Sequence, residues 1–121
     1  MSILPVVPIL EADPSITAIL GSEPRIYEDI APEGTEVPYI VWQELGGKSN
    51  NHLDNAPANF DDVQFQVMVY DTYLGRAYQL RDLVRKALES YCFILNPRIS
   101  GFDPTTKQSM RGFDANWIQE I

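Results

Sequence analysis

Apolar and polar residues alternate most clearly between residues 60 and 71. The apolar positions are Val63, Phe65, Val67 and Val69, and the positions between them are Gln64, Gln66, Met68 and Tyr70. A period of two puts successive side chains on opposite faces, so the segment predicts a strand with one core-facing side. The other side, with Gln64 and Gln66, carries no charge. Such a surface is typical of a sheet that faces a partner or a lumen.

A helical pattern follows directly, from Thr72 to Tyr91. Its apolar residues recur at spacings of three and four and are Ala77, Leu80, Leu83, Val84, Ala87, Leu88 and Tyr91. This spacing predicts one amphipathic helix packed on the sheet. The segment also holds four of the nine Lys and Arg residues of the chain. We expect three of them, Arg76, Arg81 and Arg85, to contact an acidic patch on a neighbouring subunit.

The N-terminal part of the chain predicts two helical segments and a short strand. Asp13 is a suitable N-cap, and Pro14 suits the first helical position. Gly21 is a natural end for this helix. Residues 6–12 are expected to form a separate short helix before it. Residues 25–30 are a candidate for a short strand.

Three further strands are predicted from composition and alternation. Residues 39–45 follow Pro38 and are rich in aromatic and β-branched side chains. Residues 92–95 begin a strand, and residues 110–121 alternate as a second one. Residues 103–106, Asp-Pro-Thr-Thr, have the composition of a turn between these two strands.

Length and composition place these elements in one domain. The chain has 121 residues, of which 45% are hydrophobic and 21% charged, and this is typical of a globular protein. A chain of this length has no room for a second core of useful size. We therefore predict a single α/β (α+β) domain over residues 1–121. Its four- to five-stranded sheet is expected to be mostly antiparallel, with one long helix and the N-terminal helical segment packed on it.

Residues 46–59 predict a long loop between two strands. They show no apolar period and are dominated by Gly, Asn, Asp and Pro. Long loops in compact domains are usually functional or disordered. We expect a projecting loop that orders on contact with a partner, with Lys48, His52 and Asp54 as candidate contact residues. The alternative is a connection with no role in binding.

The charge of the chain is negative and unevenly distributed. The net charge is −8, and the isoelectric point is near 4.4. Residues 1–71 carry twelve acids and two bases, whereas residues 72–121 carry seven bases and five acids. Such a chain does not bind nucleic acid or membrane through general electrostatics. The two halves are either ordinary solvated faces or unlike patches that meet when identical subunits contact head to tail.

Candidate chemistry is absent from the sequence. The single histidine, His52, and the single cysteine, Cys92, cannot form a Cys/His metal cluster, and one cysteine allows no intramolecular disulfide. No nucleotide-binding, hydrolase or metalloprotease motif occurs. The apolar start, residues 1–10, is too short to span a bilayer and has no basic segment. We therefore expect no enzyme activity, no cofactor, no metal and no membrane anchor.

The order of the segments carries a resemblance to a known family. The matching residues in the first half are Asp13-Pro14, Arg25-Ile26-Tyr27, Ala31-Pro32-Glu33-Gly34 and Val37-Pro38-Tyr39-Ile40-Val41. Those in the second half are Val63-Gln64-Phe65-Gln66-Val67, Tyr70, Ala77, Leu80, Val84, Ala87, Leu88, Asp103-Pro104-Thr105-Thr106 and Arg111 to Ile118. Over residues 13–118 the chain resembles the small tail terminator (tail completion) proteins of long-tailed bacteriophages.

The resemblance implies a homo-oligomeric, hexameric ring. Such a ring caps the completed tail tube, ends its polymerisation and offers a surface for joining the head. The implied partners are therefore the tail tube protein and a head-completion or connector protein, and DNA passes through the ring without specific binding. The implied location is the virion, at the head–tail interface of the tail, after synthesis in the cytoplasm of the host bacterium.

Alternatives from several classes stay open. Another head–tail connector, or a minor tail or tube protein, belongs to the same structural class. A tube protein would polymerise into long cylinders, whereas a terminator stops at a closed ring. A small ligand-binding regulatory α/β module would be a monomer or dimer with a concave pocket of converging polar groups. A small enzyme of unknown type is the remaining alternative.

Overall fold

The computed structural model describes residues 4–21, 23–45 and 63–118. Their helices and strands, in chain order, are α1 (Val6–Glu11), α2 (Pro14–Leu20), β1 (Ile26–Glu28), β2 (Tyr39–Glu44), β3 (Val63–Asp71), α3 (Leu74–Leu88), β4 (Cys92–Asp103) and β5 (Gln108–Trp117). Each helix and strand predicted from the sequence is present, including the separate short α1. The predicted loop, residues 46–59, lies outside the described residues, and its role stays a prediction.

The five strands form one mixed sheet in the order β1-β2-β3-β5-β4. β1 pairs with β2 in parallel, and the other pairs are antiparallel. Trp42, Val67 and Phe113 are aligned in one row across β2, β3 and β5. A one-residue slip would turn this row away from the core, so the hydrophobic pattern specifies the register. The predicted fold class, an α+β domain with a mostly antiparallel sheet, is confirmed.

The helices lie over one face of the sheet. α3 packs on β3 and β5, and α1 and α2 pack against α3. The apolar stripe of α3 is buried at Ala77, Leu80, Val84 and Leu88. The sheet residues in the same core include Trp42, Phe65, Val67, Phe113 and Trp117. Burying one large apolar side chain contributes about 1.5–3 kcal/mol, so this layer is the main source of stability.

Local sequence explains where α2 begins and ends. Asp13 is the N-cap, and its side-chain Oδ1 accepts a hydrogen bond from the backbone N of Ser15 at 2.9 Å. Pro14 occupies the first helical position, where a missing N–H costs nothing. Gly21 follows the last turn with a φ of 94°. Only glycine adopts that value without strain, so the helix ends there.

Gly112 lies where the packing between β3 and β5 leaves no room for a Cβ atom. It pairs with Met68 across β3 and β5, and the Met68 side chain lies over it. A Cβ atom at position 112 would lie 2.0 Å from the carbonyl O of Val67 and 2.6 Å from Sδ of Met68. A backbone oxygen cannot move away without breaking the ladder, so only glycine fits here.

We expect Gly112→Ala to lower the free energy of unfolding by about 1–3 kcal/mol, the usual cost of overpacking. The matched control is Gly75→Ala in α3, where an added Cβ meets nothing within 4 Å. That control is expected to be neutral or stabilising by up to about 1 kcal/mol, because alanine is the better helix former. Equilibrium denaturation in urea measures both, and equal midpoints would contradict the close approach at Gly112.

Candidate functional site

The structure divides the predicted contact residues between the two faces of the sheet. Gln64 and Gln66 lie on β3, on the face that the helices leave uncovered. Arg76, Arg81 and Arg85 lie on α3, which covers the other face. The remaining predicted contact residues lie outside the described part of the chain and are Lys48, His52 and Asp54. The described candidates therefore do not form one site.

The helix-free face, called here the open face, is polar and nearly uncharged. Its side chains on β2, β3 and β5 are Tyr39, Val41, Gln43, Gln64, Gln66, Met68, Tyr70, Gln108, Met110, Asp114 and Asn116. These described side chains include one acid and no base. Gln66 Nε2 donates to Asp114 Oδ1 at 3.1 Å, which orders the middle of the face. The polar, uncharged character predicted for the Gln64 and Gln66 side of β3 thus extends over three strands with Asp114 as the single exception.

A tyrosine pair orders one end of the open face. The rings of Tyr39 and Tyr70 stack with centroids 4.9 Å apart, and Tyr39 Oη donates to Gln108 Oε1 at 2.9 Å. Burial raises the pKa of Tyr39 and of Tyr70, and the nearby Asp103 carboxylate adds to both effects. Both phenols are therefore neutral at physiological pH, and they add no negative charge to this face.

Arg76 is engaged within the chain. Asp71, at the end of β3, is fully buried, and Arg76 binds it through two hydrogen bonds, with Nη2 to Oδ1 at 2.8 Å. The backbone N of Tyr73 donates to the same Oδ1 at 3.1 Å. The hydrogen bond with Asp71 raises the pKa of Arg76. The guanidinium thus ties the end of β3 to the first turn of α3, a role that the sequence did not indicate.

Arg81 is buried, and Arg85 is exposed. Arg81 is only 3% exposed, since position 81 lies on the core side of α3, four residues after Ala77. Its Nε and Nη2 donate to Asp82 Oδ1 at 3.1 and 3.0 Å. Arg81 is thus buried in this chain, and the contact with a neighbouring subunit that the sequence predicts for it stays a prediction. Of the three predicted arginines, Arg85 is the one that lies exposed on the outer side of α3.

An aromatic ring lies among arginines from three elements. The Cζ atoms of Arg81 and Arg111 lie 5.1 and 5.0 Å from the ring centroid of Tyr78. The hydrogen bond with Arg111 lowers the pKa of Tyr78, and the charges of Arg98 and Arg81 act in the same direction. This Tyr78 cluster brings positive charge from α3, β4 and β5 to one side of the molecule.

One end of the sheet is acidic. We call residues 23–36, which contain β1, the acidic edge; their acids, all exposed, are Glu23, Glu28, Asp29, Glu33 and Glu36. The single base, Arg25, donates to the backbone carbonyls of Leu20, Glu36 and Pro38, so its charge is engaged internally. Glu33 and Glu36 line an open groove beside β1. Ile30 is 78% exposed at the same edge.

The opposite end of the sheet is basic and apolar. We call residues 92–111, which contain β4 and its hairpin, the basic edge; their ionised side chains are Arg98, Lys107, Arg111 and Asp103. Phe93, Leu95 and Phe102 on β4 are large and exposed. The sequence showed the charge asymmetry between the halves of the chain, but not that the two charges lie at opposite ends of one sheet.

The one cysteine of the chain and the potential metal ligands among the described residues do not form a metal site. Cys92 is buried, its Sγ donates to the Leu88 carbonyl, and burial raises its thiol pKa to about 11. A thiol that stays protonated at neutral pH is a poor nucleophile. No group of three or more His, Cys, Asp or Glu side chains in the described ranges is placed to hold a metal ion. None of their helices combines the length and apolarity needed to cross a bilayer.

In the described residues, the helices cover one face of the sheet, and the other face and both charged edges are exposed for contacts with other proteins. Residues 5–119 match the family described as tail completion protein gp17. The chain therefore belongs to this family, and it is a structural protein of bacteriophage tails. The resemblance noted in the sequence is confirmed.

Solved structures show the same fold. A chain of the virion of a native gene transfer agent particle superimposes with a TM-score of 0.57 at 15% sequence identity. The match covers 93% of this chain and 90% of that one. No curated protein matches the chain at a significant level.

We expect Arg76→Ala to lower the free energy of unfolding by about 3 kcal/mol, because it leaves the buried Asp71 carboxylate without its cation. Arg85→Ala, on the exposed side of the same helix, is the matched control and should change stability by less than about 0.5 kcal/mol. Denaturation in guanidinium chloride measures the free energy of unfolding of both variants. Equal, small losses would show that the Asp71–Arg76 pair contributes little.

We also expect Tyr78 to ionise at a lower pH than Tyr39 and Tyr70, since their pKa values shift in opposite directions. An NMR titration of the tyrosine ring carbons measures each group. Arg111→Gln should return the pKa of Tyr78 toward about 10, whereas Arg85→Gln should leave it unchanged. A Tyr78 signal that titrates together with Tyr39 would argue against the cluster.

Proposed function

We propose that this chain is a tail terminator: it forms a closed, hexameric ring on the end of the tail tube, ends tube polymerisation and offers the surface that joins the head. The observation that carries the proposal is the family assignment over residues 5–119. The partners are further copies of this chain, the tube protein and a head-completion or connector protein. The location is the head–tail interface of the virion, after synthesis in the host cytoplasm.

The open face supports a role at the lumen of the ring. DNA must slide through such a ring, so a lumen with fixed positive charge would hold its phosphates. On β2, β3 and β5 the open face carries Asp114 and no Lys or Arg. A sheet face with amides, such as Gln64 and Gln66, can be hydrated without gripping DNA. We therefore assign the open face to the lumen and the helices to the outside.

Arg85 remains the described α3 residue best placed for contact with another protein. It is exposed, and the adjacent Lys86 is exposed as well. Arg76 and Arg81 act inside the fold in this structure, as their contacts with Asp71 and Asp82 indicate. A partner with exposed carboxylates at the outside of the ring therefore fits Arg85, and we propose this as the role of that residue.

The alternative within the same class is a tube or minor tail protein. The exposed edges of the sheet favour assembly for a terminator and for a tube protein. The two functions are therefore distinguished by the assembly that forms. A tube protein polymerises without limit, whereas a terminator stops at a ring. No described feature favours the ligand-binding module, since the groove beside β1 opens to solvent along the acidic edge.

The test is tube growth with and without this chain. We expect that adding the purified chain to the polymerising tube protein of the same phage stops elongation and leaves a six-subunit ring at one end of each tube. Electron microscopy measures tube length and locates the chain. The variant Gln66→Lys tests the assignment of the open face to the lumen. It should still cap tubes, but its added positive charge should slow the passage of DNA through the ring.

Two outcomes would overturn the proposal. If the chain is incorporated along the whole tube, it is a tube component. If tubes reach the same length with and without it, and none carries the chain at an end, termination is not its function. A variant with Gly75→Ala, which leaves all proposed contact surfaces unchanged, should behave like the wild type and controls for the effects of substitution itself.

A further inference from the structure

We propose that copies of this chain join head to tail through opposite edges of the sheet, with the acidic edge of one protomer against the basic edge of the next. The inference deepens the proposed ring and rests on it. It names both surfaces of the contact between subunits, residues 23–36 on one side and residues 92–111 on the other.

The strand order provides the geometry. β1 is the first strand of the sheet and β4 is the last, so the two edges point away from each other. A contact between unlike edges is heterologous, so a pair of protomers still has one free acidic edge and one free basic edge. Repetition of such a contact produces a closed ring when the rotation between neighbours closes. A contact between like edges would stop at a dimer.

The charges decide between these two arrangements. Residues 23–36 contain five acids and one base, a net charge of −4. Residues 92–111 contain three bases and one acid, a net charge of +2. Two acidic edges in contact would repel each other, which disfavours a contact between like edges. Contact between unlike edges is attractive, and it also orients the approaching subunit.

Apolar side chains provide the second component of the contact. Ile30 is exposed at the acidic edge, and Phe93, Leu95 and Phe102 are exposed on β4. Four of the seven large hydrophobic side chains that are exposed in the described ranges thus lie on these two edges. Aromatic and arginine side chains are enriched in protein interfaces, and Phe102 and Arg98 supply both types.

The backbone of both edges disfavours direct strand pairing. At the start of β1, the N–H of Ile26 bonds to the Pro24 carbonyl, and just after β1 the N–H of Ile30 bonds to the Glu28 carbonyl. On β4, Pro97 has no N–H to donate. Edges of this kind resist uncontrolled pairing of sheets. The contact therefore depends on side chains, and its electrostatic part should weaken as salt screens the charges.

A mixing experiment with two variants of the full chain tests the inference. The first variant, Arg98→Glu with Lys107→Glu, has two acidic edges. The second, Glu33→Lys with Glu36→Lys, places two lysines on the acidic edge and brings the net charge of residues 23–36 from −4 to 0. From the wild-type net charge of −8, the first variant reaches −12 and the second −4. Both remain negative, so general attraction between oppositely charged proteins cannot drive their association.

We expect each variant alone to self-associate about tenfold or more weakly than the wild type at low salt. An equimolar mixture should recover association, with the two variants alternating in one closed species of even subunit number. Sedimentation and native mass spectrometry measure stoichiometry, and circular dichroism checks the fold.

The control partner, Glu11→Lys with Glu89→Lys, also has a net charge of −4 but is altered at exposed positions on the helices. It should not rescue the first variant.

Two results would overturn the edge-to-edge contact. One is a mixture that associates no better than either variant alone. The other is a wild-type chain that stays monomeric at every concentration and salt tested. Neither result decides the proposed function, because capping of the tube is measured independently by tube length. Loss of capping with intact edge-dependent association would instead overturn the function and leave the contact standing.

Discussion

The packing of α3 on the centre of the sheet is the contact on which the rest of the structure depends. Leu80 and Val84 are buried against the layer that contains Phe65 and Phe113. A sheet needs only one covered face to hold a core, and this helix covers that face together with α1 and α2. The other face and the two outer strands are consequently left for contacts with other molecules.

The junction between β3 and α3 holds this arrangement in place. Asp71 is buried where the strand ends, and Arg76 reaches back to it from the first turn of the helix. The pair determines how the chain turns from sheet to helix, and it uses a base that would otherwise belong to the surface. Arg81 likewise makes contacts within the chain, with the Asp82 carboxylate and the Tyr78 ring. The arginines of α3 therefore serve both the fold and, at Arg85, the exposed surface.

The proposed function depends on extended surfaces of the protein. The open face is ordered by Gln66 and Asp114 and by the stacked rings of Tyr39 and Tyr70, and it holds almost no charge. The two edges differ in the sign of their charge and share exposed apolar side chains. The proposed ring, which would contact its own copies and let DNA pass, would depend on these properties of the open face and the edges.

The sequence by itself determined the type and order of the elements and the family, because period, caps and turns depend on residues close together in the chain. It also indicated the uncharged side of β3, through Gln64 and Gln66. Only the tertiary structure decided that Arg76 and Arg81 act inside the fold, that Asp71 is buried, and that β1 and β4 end the sheet at opposite sides. These properties depend on which distant segments meet, and local patterns do not carry that information.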